Sequence, residues 1–183
     1  NGVVTGNGGG IYLKEGSNLW LKDVRVQDCS AEGYTGKGGA IGYANYSTST
    51  NIYAENCTFR SNRCGESGGV IYGMQLYART CTFSNNSALQ CGGIIYTDGT
   101  NTAVVTNCAF IGNSAYRAGI SQVYSWTAYN CVFSGNSASL QGGISDSGNW
   151  AAYNCTFRGN TSAFASIAVY NNQTAANSIF WDN

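Results

Sequence analysis

Five of the eight cysteines recur at nearly regular intervals, which makes them the first candidates for shared chemistry. They lie 24, 27, 23 and 24 residues apart, at Cys57, Cys81, Cys108, Cys131 and Cys155. A zinc site needs thiolates that converge on one point, usually from paired Cys-x-x-Cys motifs. Thiols that recur once per repeat form a straight row instead. We therefore expect no metal and no other cofactor, and we interpret the row as small buried side chains in a narrow core.

The other three cysteines lie outside this row and are candidates for a disulfide. Bonds within the row are disfavoured, because stacked parallel Cβ atoms sit farther apart than the ~3.8 Å that a disulfide prefers. Cys64 and Cys91 fall in the same turn of adjacent repeats, so a bond between them would staple the two turns. The sequence predicts this Cys64–Cys91 pair, with Cys29–Cys64 as the alternative.

The acidic residues show no catalytic pattern. The chain has nine of them and no histidine. No two acids lie two residues apart on one strand, the spacing that would place both on one face. Asp98 and Asp146 come nearest to sharing a face, but two repeats separate them. Charges at unrelated positions usually only solvate a surface, so we predict that the protein is not an enzyme.

These residues belong to a repeat that runs through the chain. Phe-x-x-Asn occurs six times, and small-residue pairs precede an aliphatic run between the copies, as in Gly38-Gly39-Ala40-Ile41. Counted from Gly8-Gly9, the pairs lie 30, 30, 24, 26, 24 and 23 residues apart. A sustained period in the twenties indicates a solenoid in which each repeat is one supersecondary unit.

Apolar residues alternate within each repeat, which indicates short strands and leaves no room for helices. Ile52, Ala54, Cys57 and Phe59 illustrate the pattern, which skips one residue at a corner, Asn56. Such short strands bury a face only when they stack in parallel on the repeats above and below, ~4.8 Å away. We predict an all-β solenoid of about seven coils that forms a single domain over residues 1–183.

Two residue types should stack in this solenoid as structural ladders. Phenylalanine fills the core, whereas asparagine suits tight corners, because it tolerates left-handed dihedral angles and can bond to its copies along the axis. The predicted ladder residues are Phe59, Phe83, Phe110, Phe133, Phe157 and Phe180, with Asn62, Asn86, Asn113, Asn136, Asn160 and Asn183.

Exposed aromatic residues form the candidate binding face. Aromatic stripes on a solenoid can stack on sugar rings or pack against another chain. The predicted face comprises Tyr12, Tyr53, Tyr72, Tyr77 and Tyr96. An ice-binding surface would need regular threonines, and the positions that follow the cysteine row supply Thr58, Thr82 and Thr156 with interruptions.

The composition restricts the partners and the location. Nine basic residues balance nine acidic ones, which argues against nucleic acid and anionic membranes as partners. No window approaches the ~18 to 20 apolar residues of a membrane span, so we expect no membrane insertion. Low charge with many Asn, Ser, Thr, Gly and Tyr residues is typical of extracellular β proteins.

Six Asn-x-Ser/Thr sequons also indicate an extracellular protein. Asn45, Asn85 and Asn172 are the glycosylation candidates. The remaining sequons, at Asn56, Asn154 and Asn160, fall in the inferred corner ladders, where an engaged amide is a poorer acceptor of a glycan.

The combination of Gly-Gly-Ala-Ile at residues 38–41 with Phe-x-x-Asn resembles the repeat of chlamydial polymorphic outer-membrane proteins. More widely, it resembles right-handed parallel β-helix repeats of the pectin-lyase-like superfamily, from about Gly8 to Asn183. The resemblance implies a right-handed β-helix, surface display and adhesion. Polysaccharide enzymes of that superfamily use clustered carboxylates with a basic residue, or grouped aspartates often with histidine, and this sequence shows neither group.

We therefore predict a non-enzymatic, extracellular structural or adhesive module at the cell surface. Its partners would be further copies of itself, other surface or matrix proteins, or glycans. Neither end carries a capping helix or a polar terminal repeat, so we expect a segment of a longer chain or a filament protomer that stacks end to end. The alternatives are a carbohydrate-binding adhesin or autotransporter passenger fragment, and less favoured, a polysaccharide lyase or hydrolase, or an ice-binding protein.

Overall fold

The chain winds into a parallel β-solenoid of about seven coils. The computed structural model describes residues 2–14, 16–43, 50–97, 100–145, 148–167 and 172–183. Within these ranges every regular element is a strand, no helix occurs, and every strand pairing is parallel. The predicted all-β solenoid is therefore confirmed.

Successive coils add strands to four sheets, which we number in chain order. Sheet 1 contains Val3–Val4, Ser30–Ala31, Arg63–Cys64, Ser87–Ala88, Ser114–Ala115 and Ser137–Ala138. Sheet 2 contains Ile11–Leu13, Ile41–Tyr43, Ile71–Tyr72, Ile95–Tyr96 and Ser121–Gln122. Sheet 3 contains Asn18–Lys22, Asn51–Glu55, Gln75–Arg79, Thr102–Thr106, Ser125–Tyr129, Asn149–Tyr153 and Asn172–Ala176. Sheet 4 contains Arg25–Gln27, Thr58–Arg60, Thr82–Ser84, Ala109–Ile111, Val132–Ser134, Thr156–Arg158 and Ile179–Trp181.

Equivalent residues of successive coils lie directly above one another in sheets 3 and 4. Tyr53 pairs with Tyr77, and Phe83 pairs with Phe110. Two-residue corners join sheet 3 to sheet 4 and sheet 4 to sheet 1, as at residues 56–57 and 61–62. The differences in repeat length therefore fall in the segments before and after sheet 2, where they leave the register of the outer faces intact.

Both two-residue corners begin with a residue in the left-handed region. Between sheets 3 and 4 this residue has φ of 50° to 56° and is Asp23, Asn56, Thr80, Asn107, Asn130, Asn154 or Asn177. Between sheets 4 and 1 it has φ of 50° to 63° and is Asp28, Ser61, Asn85, Gly112, Gly135, Gly159 or Asp182. Asn, Asp and Gly adopt this conformation at the lowest cost, which explains why they occupy all of these positions except Thr80 and Ser61.

The glycine pairs allow coils to approach closely before sheet 2. A Cβ atom on Gly93 would overlap the carbonyl oxygen of Gly119, the equivalent glycine of the next coil, and Gly39 meets Gly69 in the same way. Only glycine fits where the backbones of stacked coils are in contact.

The hydrophobic core is one continuous column of side chains through the coils. Phe59, Phe83, Phe110, Phe133 and Phe157 are at most 1% exposed. Consecutive phenylalanine rings stack nearly parallel with centroids 4.7 to 5.0 Å apart, and this stack extends to the half-exposed Phe180.

Candidate functional site

The asparagines of Phe-x-x-Asn form a hydrogen-bonded column inside the solenoid. Asn113 is fully buried and donates from Nδ2 to the carbonyl oxygen of Phe83 at 3.0 Å and to Oδ1 of Asn136 at 2.9 Å. Its Oδ1 accepts from the backbone N–H and from Nδ2 of Asn86, both at 3.0 Å. The same pattern links Asn62, Asn86, Asn113, Asn136, Asn160 and Asn183.

These bonds use both donors and both lone-pair positions of each internal amide. The column therefore holds coils together and offers no group to a ligand.

Cys29 is a member of this column that was not identified from the sequence. Cys29 occupies the ladder position of its coil, and its backbone N–H donates to Oδ1 of Asn62 at 3.1 Å. The spacing in Val26-x-x-Cys29 matches Phe-x-x-Asn and is the signal that identifies it, because Val26 pairs with Phe59.

The regular cysteines form a second row beside the phenylalanine stack. The sulfur atoms of Cys81, Cys108, Cys131 and Cys155 each accept a backbone N–H from the cysteine of the preceding coil at 3.4 Å. All five thiols of the row donate to the carbonyl oxygen two residues earlier, as Cys108 does to Thr106 at 3.2 Å. Ser178 ends the row and accepts from Cys155 at 3.2 Å.

Hydrogen bonds between the thiols and burial raise the pKa of Cys81 and Cys131. The same thiol contacts lower the pKa of Cys108 and Cys155. Burial opposes ionisation at all four of these thiols, because an apolar core disfavours a buried charge. No group of three or more metal-ligating side chains occurs among the residues that the structure describes.

The structure does not support the predicted Cys64–Cys91 disulfide or the alternative Cys29–Cys64 bond. None of the eight cysteines is in a disulfide. Cys64 pairs with Ala88, so Cys91 lies three residues beyond the register partner of Cys64 and pairs with Ser67 instead. Cys64 is packed in a small cluster with Ala31, Ala88 and Ala115, and burial raises the pKa of its thiol to about 12.

The outer face of sheet 3 carries the strongest candidate for a binding site. Trp20 and Tyr53 stack with ring centroids 4.0 Å apart, and Tyr53 and Tyr77 stack 5.2 Å apart, both at 11° between planes. Both faces of the Tyr53 ring are therefore covered by neighbouring rings. Tyr53 presents only its ring edge to solvent, so a sugar cannot stack on the face of this ring.

A charged column runs parallel to this aromatic ladder, two residues farther along each strand. Glu55 lies between two cations, with Oε1 3.1 Å from the Arg79 guanidinium and 3.9 Å from Lys22 Nζ. The side chains of Lys22 and Arg79 are 70% and 65% exposed. The column therefore carries one net positive charge.

A groove of about 480 Å³ is lined by the two columns and the strand residues between them. Its aromatic side is Trp20, Tyr53 and Tyr77, and its charged side is Lys22, Glu55 and Arg79. The intervening positions are small or aliphatic, and Val104 and Thr106 extend the groove into the fourth coil. We name this feature the sheet 3 groove.

The structure does not bring the five predicted tyrosines together on one face. Tyr53 and Tyr77 lie in sheet 3, whereas Tyr12, Tyr72 and Tyr96 lie in sheet 2. Tyr72 is only 3% exposed, so its assignment to an exposed face is wrong. Sequence spacing alone missed this burial, because the groups that cover Tyr72 come from other parts of the coils.

A half-buried ion pair covers Tyr72. Lys37 Nζ lies 3.1 Å from Glu66 and donates to the Tyr72 hydroxyl at 2.9 Å, and both charged side chains are 23% exposed. The ammonium group also sits 4.7 Å from the centre of the Tyr72 ring. This cluster joins two coils, and its donors and acceptors are directed at one another.

Other candidates from the sequence remain apart or lie outside the described residues. Asp98 and Asp146 fall outside them. The threonines considered for ice binding share one column of sheet 4, but Ala109 and Val132 separate Thr82 from Thr156. No helix within the described ranges is long and apolar enough to cross a membrane.

The described sequons differ in the environment of their amides. Asn160 is buried in the ladder, and Nδ2 donates to Asp23 at 2.7 Å in Asn56 and to Asn130 at 3.2 Å in Asn154. Asn172 is exposed and donates to Asn149 at 3.3 Å. Asn85 is exposed at a corner beside Gly112, and Asn45 lies outside the described residues.

A family model described as the Chlamydia polymorphic membrane protein repeat matches residues 56–74. The matched segment contains Phe59-x-x-Asn62 and the glycine pair Gly68-Gly69, so it covers one corner-to-corner unit of the solenoid. Together with the parallel β-solenoid, this match confirms the resemblance seen in the sequence. No curated protein and no solved structure matches the chain significantly.

Proposed function

We propose that this chain is a non-catalytic module at the cell surface that serves as a structural or adhesive rod. The observation that carries the proposal is the use of the internal polar groups. The asparagine amides and cysteine thiols of the two described columns bond to neighbouring coils, so these groups hold the solenoid together. The match to a Chlamydia polymorphic membrane protein repeat supports a surface location.

The finer form of the proposal is end-to-end association into a filament. In the last described coil, strands Asn172–Ala176 and Ile179–Trp181 pair on one side only. Trp181 is 62% exposed there. A further coil, from a continuation of the chain or from another copy, would pair with these edges. A glycan at Asn85 would project from an outer corner without disturbing this stacking.

The sheet 3 groove favours a second candidate, a carbohydrate-binding adhesin. The groove combines aromatic rings, exposed cations and a depression that spans four coils. Such sites bind extended ligands through several weak contacts.

Electron microscopy and a bead-adhesion assay test the proposed function. A filament protomer should form long fibres, whereas an adhesin should remain as short rods that attach coated beads to cells or extracellular matrix. A chain that forms no fibres and confers no adhesion contradicts the proposal. Turnover of polyuronates that disappears in Asp98→Asn or Asp146→Asn would establish an enzyme instead.

A further inference from the structure

We infer that the sheet 3 groove binds a linear anionic oligosaccharide, along the solenoid axis. This inference rests on the adhesive form of the proposed function and names the ligand class for that surface. The groove spans four coils, from Trp20 and Lys22 to Val104 and Thr106. Three coil steps of ~4.8 Å make it about 14 Å long, which accommodates a short stretch of a linear chain.

The charges of the groove select an anionic ligand. Glu55 is shared between Lys22 and Arg79, and both cations remain mostly exposed. A guanidinium has five N–H donors and an ammonium has three. Most of these donors are directed to solvent here, because each cation makes one ion pair to the same carboxylate oxygen. Carboxylate or sulfate groups would use the remaining donors through charge-assisted hydrogen bonds.

The aromatic side of the groove favours the same chemistry. Aromatic rings have negative faces and positive edges. The faces of Tyr53 are covered by Trp20 and Tyr77, so Tyr53 presents its ring edge to the groove. Positive edges favour electronegative oxygens over the apolar face of a neutral sugar. The groove thus combines positive ring edges with cationic donors along its length.

The floor of the groove disfavours an extended peptide. A peptide that adds as a strand needs unpaired backbone groups. The floor strands Asn51–Glu55 and Gln75–Arg79 are paired with neighbours on both sides. The groove also runs across these strands, so side chains alone are available to a ligand. Side chains repeat at each coil, a spacing comparable with the length of one sugar unit.

Titration calorimetry at low ionic strength tests the inference with the 183-residue chain. Hexagalacturonate and a heparin-derived hexasaccharide are the anionic probes and separate carboxylate from sulfate ligands, with maltohexaose as the neutral probe. We expect at least one anionic probe to bind about tenfold or more tightly than maltohexaose, with an affinity that falls as salt is added.

The variant Lys22→Gln/Arg79→Gln should weaken this binding about tenfold or more, because it removes both exposed cations. It should remain folded, since exposed ion pairs contribute little to stability. The matched control Arg60→Gln/Arg117→Gln makes the same change in net charge at two exposed positions outside sheet 3. Binding to the control should stay within about twofold of the parent.

Three results would overturn the inference: equal binding of maltohexaose, an equal loss in the control variant, or equal binding of hexaglutamate. The last result would show that charge alone is recognised. Beads coated with Lys22→Gln/Arg79→Gln that still adhere would leave the proposed function standing and reject only this groove as the site.

Discussion

The asparagine side chains of the ladder make the hydrogen bonds to backbone groups at the corners that water would make in an unfolded chain. The amide of Asn113 makes four hydrogen bonds while fully buried, two as donor and two as acceptor. A buried group that loses its partner costs about 1 to 3 kcal/mol. The ladder therefore stabilises the solenoid mainly because backbone groups left without hydrogen-bond partners at the corners would raise the free energy of the folded state.

Replacing Asn113 with alanine should lower the free energy of unfolding by about 3 kcal/mol or more, because it leaves the Asn86 N–H without its acceptor and removes one hydrogen bond each from the Asn86 amide, the Asn136 amide and the Phe83 carbonyl. Chemical denaturation followed by circular dichroism measures the change. Asn107→Gly is the control, since Asn107 is exposed and glycine keeps its positive φ of 53°. A loss at Asn107 as large as that at Asn113 would contradict the role of the ladder.

The Cys64 thiol should make stability depend on alkaline pH. Its pKa rises from 9.0 to about 12 through burial, so the folded chain holds a proton that the unfolded chain releases above pH 9. Stability is full below pH 9 and falls by up to about 1.4 kcal/mol per pH unit as the pH rises towards 12. Denaturation at pH 8 and at pH 10.5, under reducing conditions, measures this decrease.

Cys64→Ala provides the comparison, because Ala31 and Ala88 occupy the same column. The variant should be less stable than the parent at pH 8, and this deficit should shrink at pH 10.5. Tyrosine and lysine titrations are common to both proteins and cancel. A deficit that does not change with pH would show that the thiol ionises freely in the folded state.

The stability of the segment before sheet 2 depends on the close contact between the backbones of adjacent coils at the glycine pairs. Gly93→Ala should destabilise the chain by about 3 kcal/mol, because its Cβ meets the backbone of Gly119 and Ser114, which cannot rotate away. Gly135→Ala should cost only about 1 kcal/mol, since no atom lies within 4 Å and the strain of φ 63° remains. Equal unfolding midpoints for the two variants would contradict close packing at the glycine pairs.

The phenylalanine stack connects the strands of sheet 4 through the core. Phe110 stacks on Phe83 at 5.0 Å and on Phe133 at 4.9 Å. Phe110→Ala should therefore cost about 3 to 5 kcal/mol, as truncation of a buried aromatic side chain does. Ile111→Ala on the outer face, where the residue is 44% exposed, should cost about 1 kcal/mol or less. Urea denaturation compares the two, and similar costs would mean that the stack is not the core.

The whole molecule is a one-dimensional array, so its stability should be distributed along the axis. A coil in a solenoid contacts only its neighbours. We expect amide hydrogen exchange to be fastest in Ile179–Trp181, which has one neighbouring strand, and slowest in Gln75–Arg79, which has two. Mass spectrometry of peptides measures this gradient. Uniform protection across the coils would indicate one cooperative unit.

The solenoid itself was predictable because its determinants are local and periodic. Phe-x-x-Asn sets the corner between sheets 4 and 1, and the alternation of Ile52, Ala54 and Cys57 sets the inward face. The same residues meet in every coil, so one repeat predicts the next. The register of sheets 3 and 4 follows from two-residue corners of constant length.

The sequence by itself therefore determined the coils, their inward columns and the absence of a repeated catalytic motif. Only the tertiary structure decided which outward groups are available. It buried Tyr72 under Lys37 and Glu66, and it covered both faces of Tyr53. It also placed Cys91 three residues out of register with Cys64. These outcomes depend on contacts between non-equivalent residues of different coils, and a repeat pattern carries no information about such contacts.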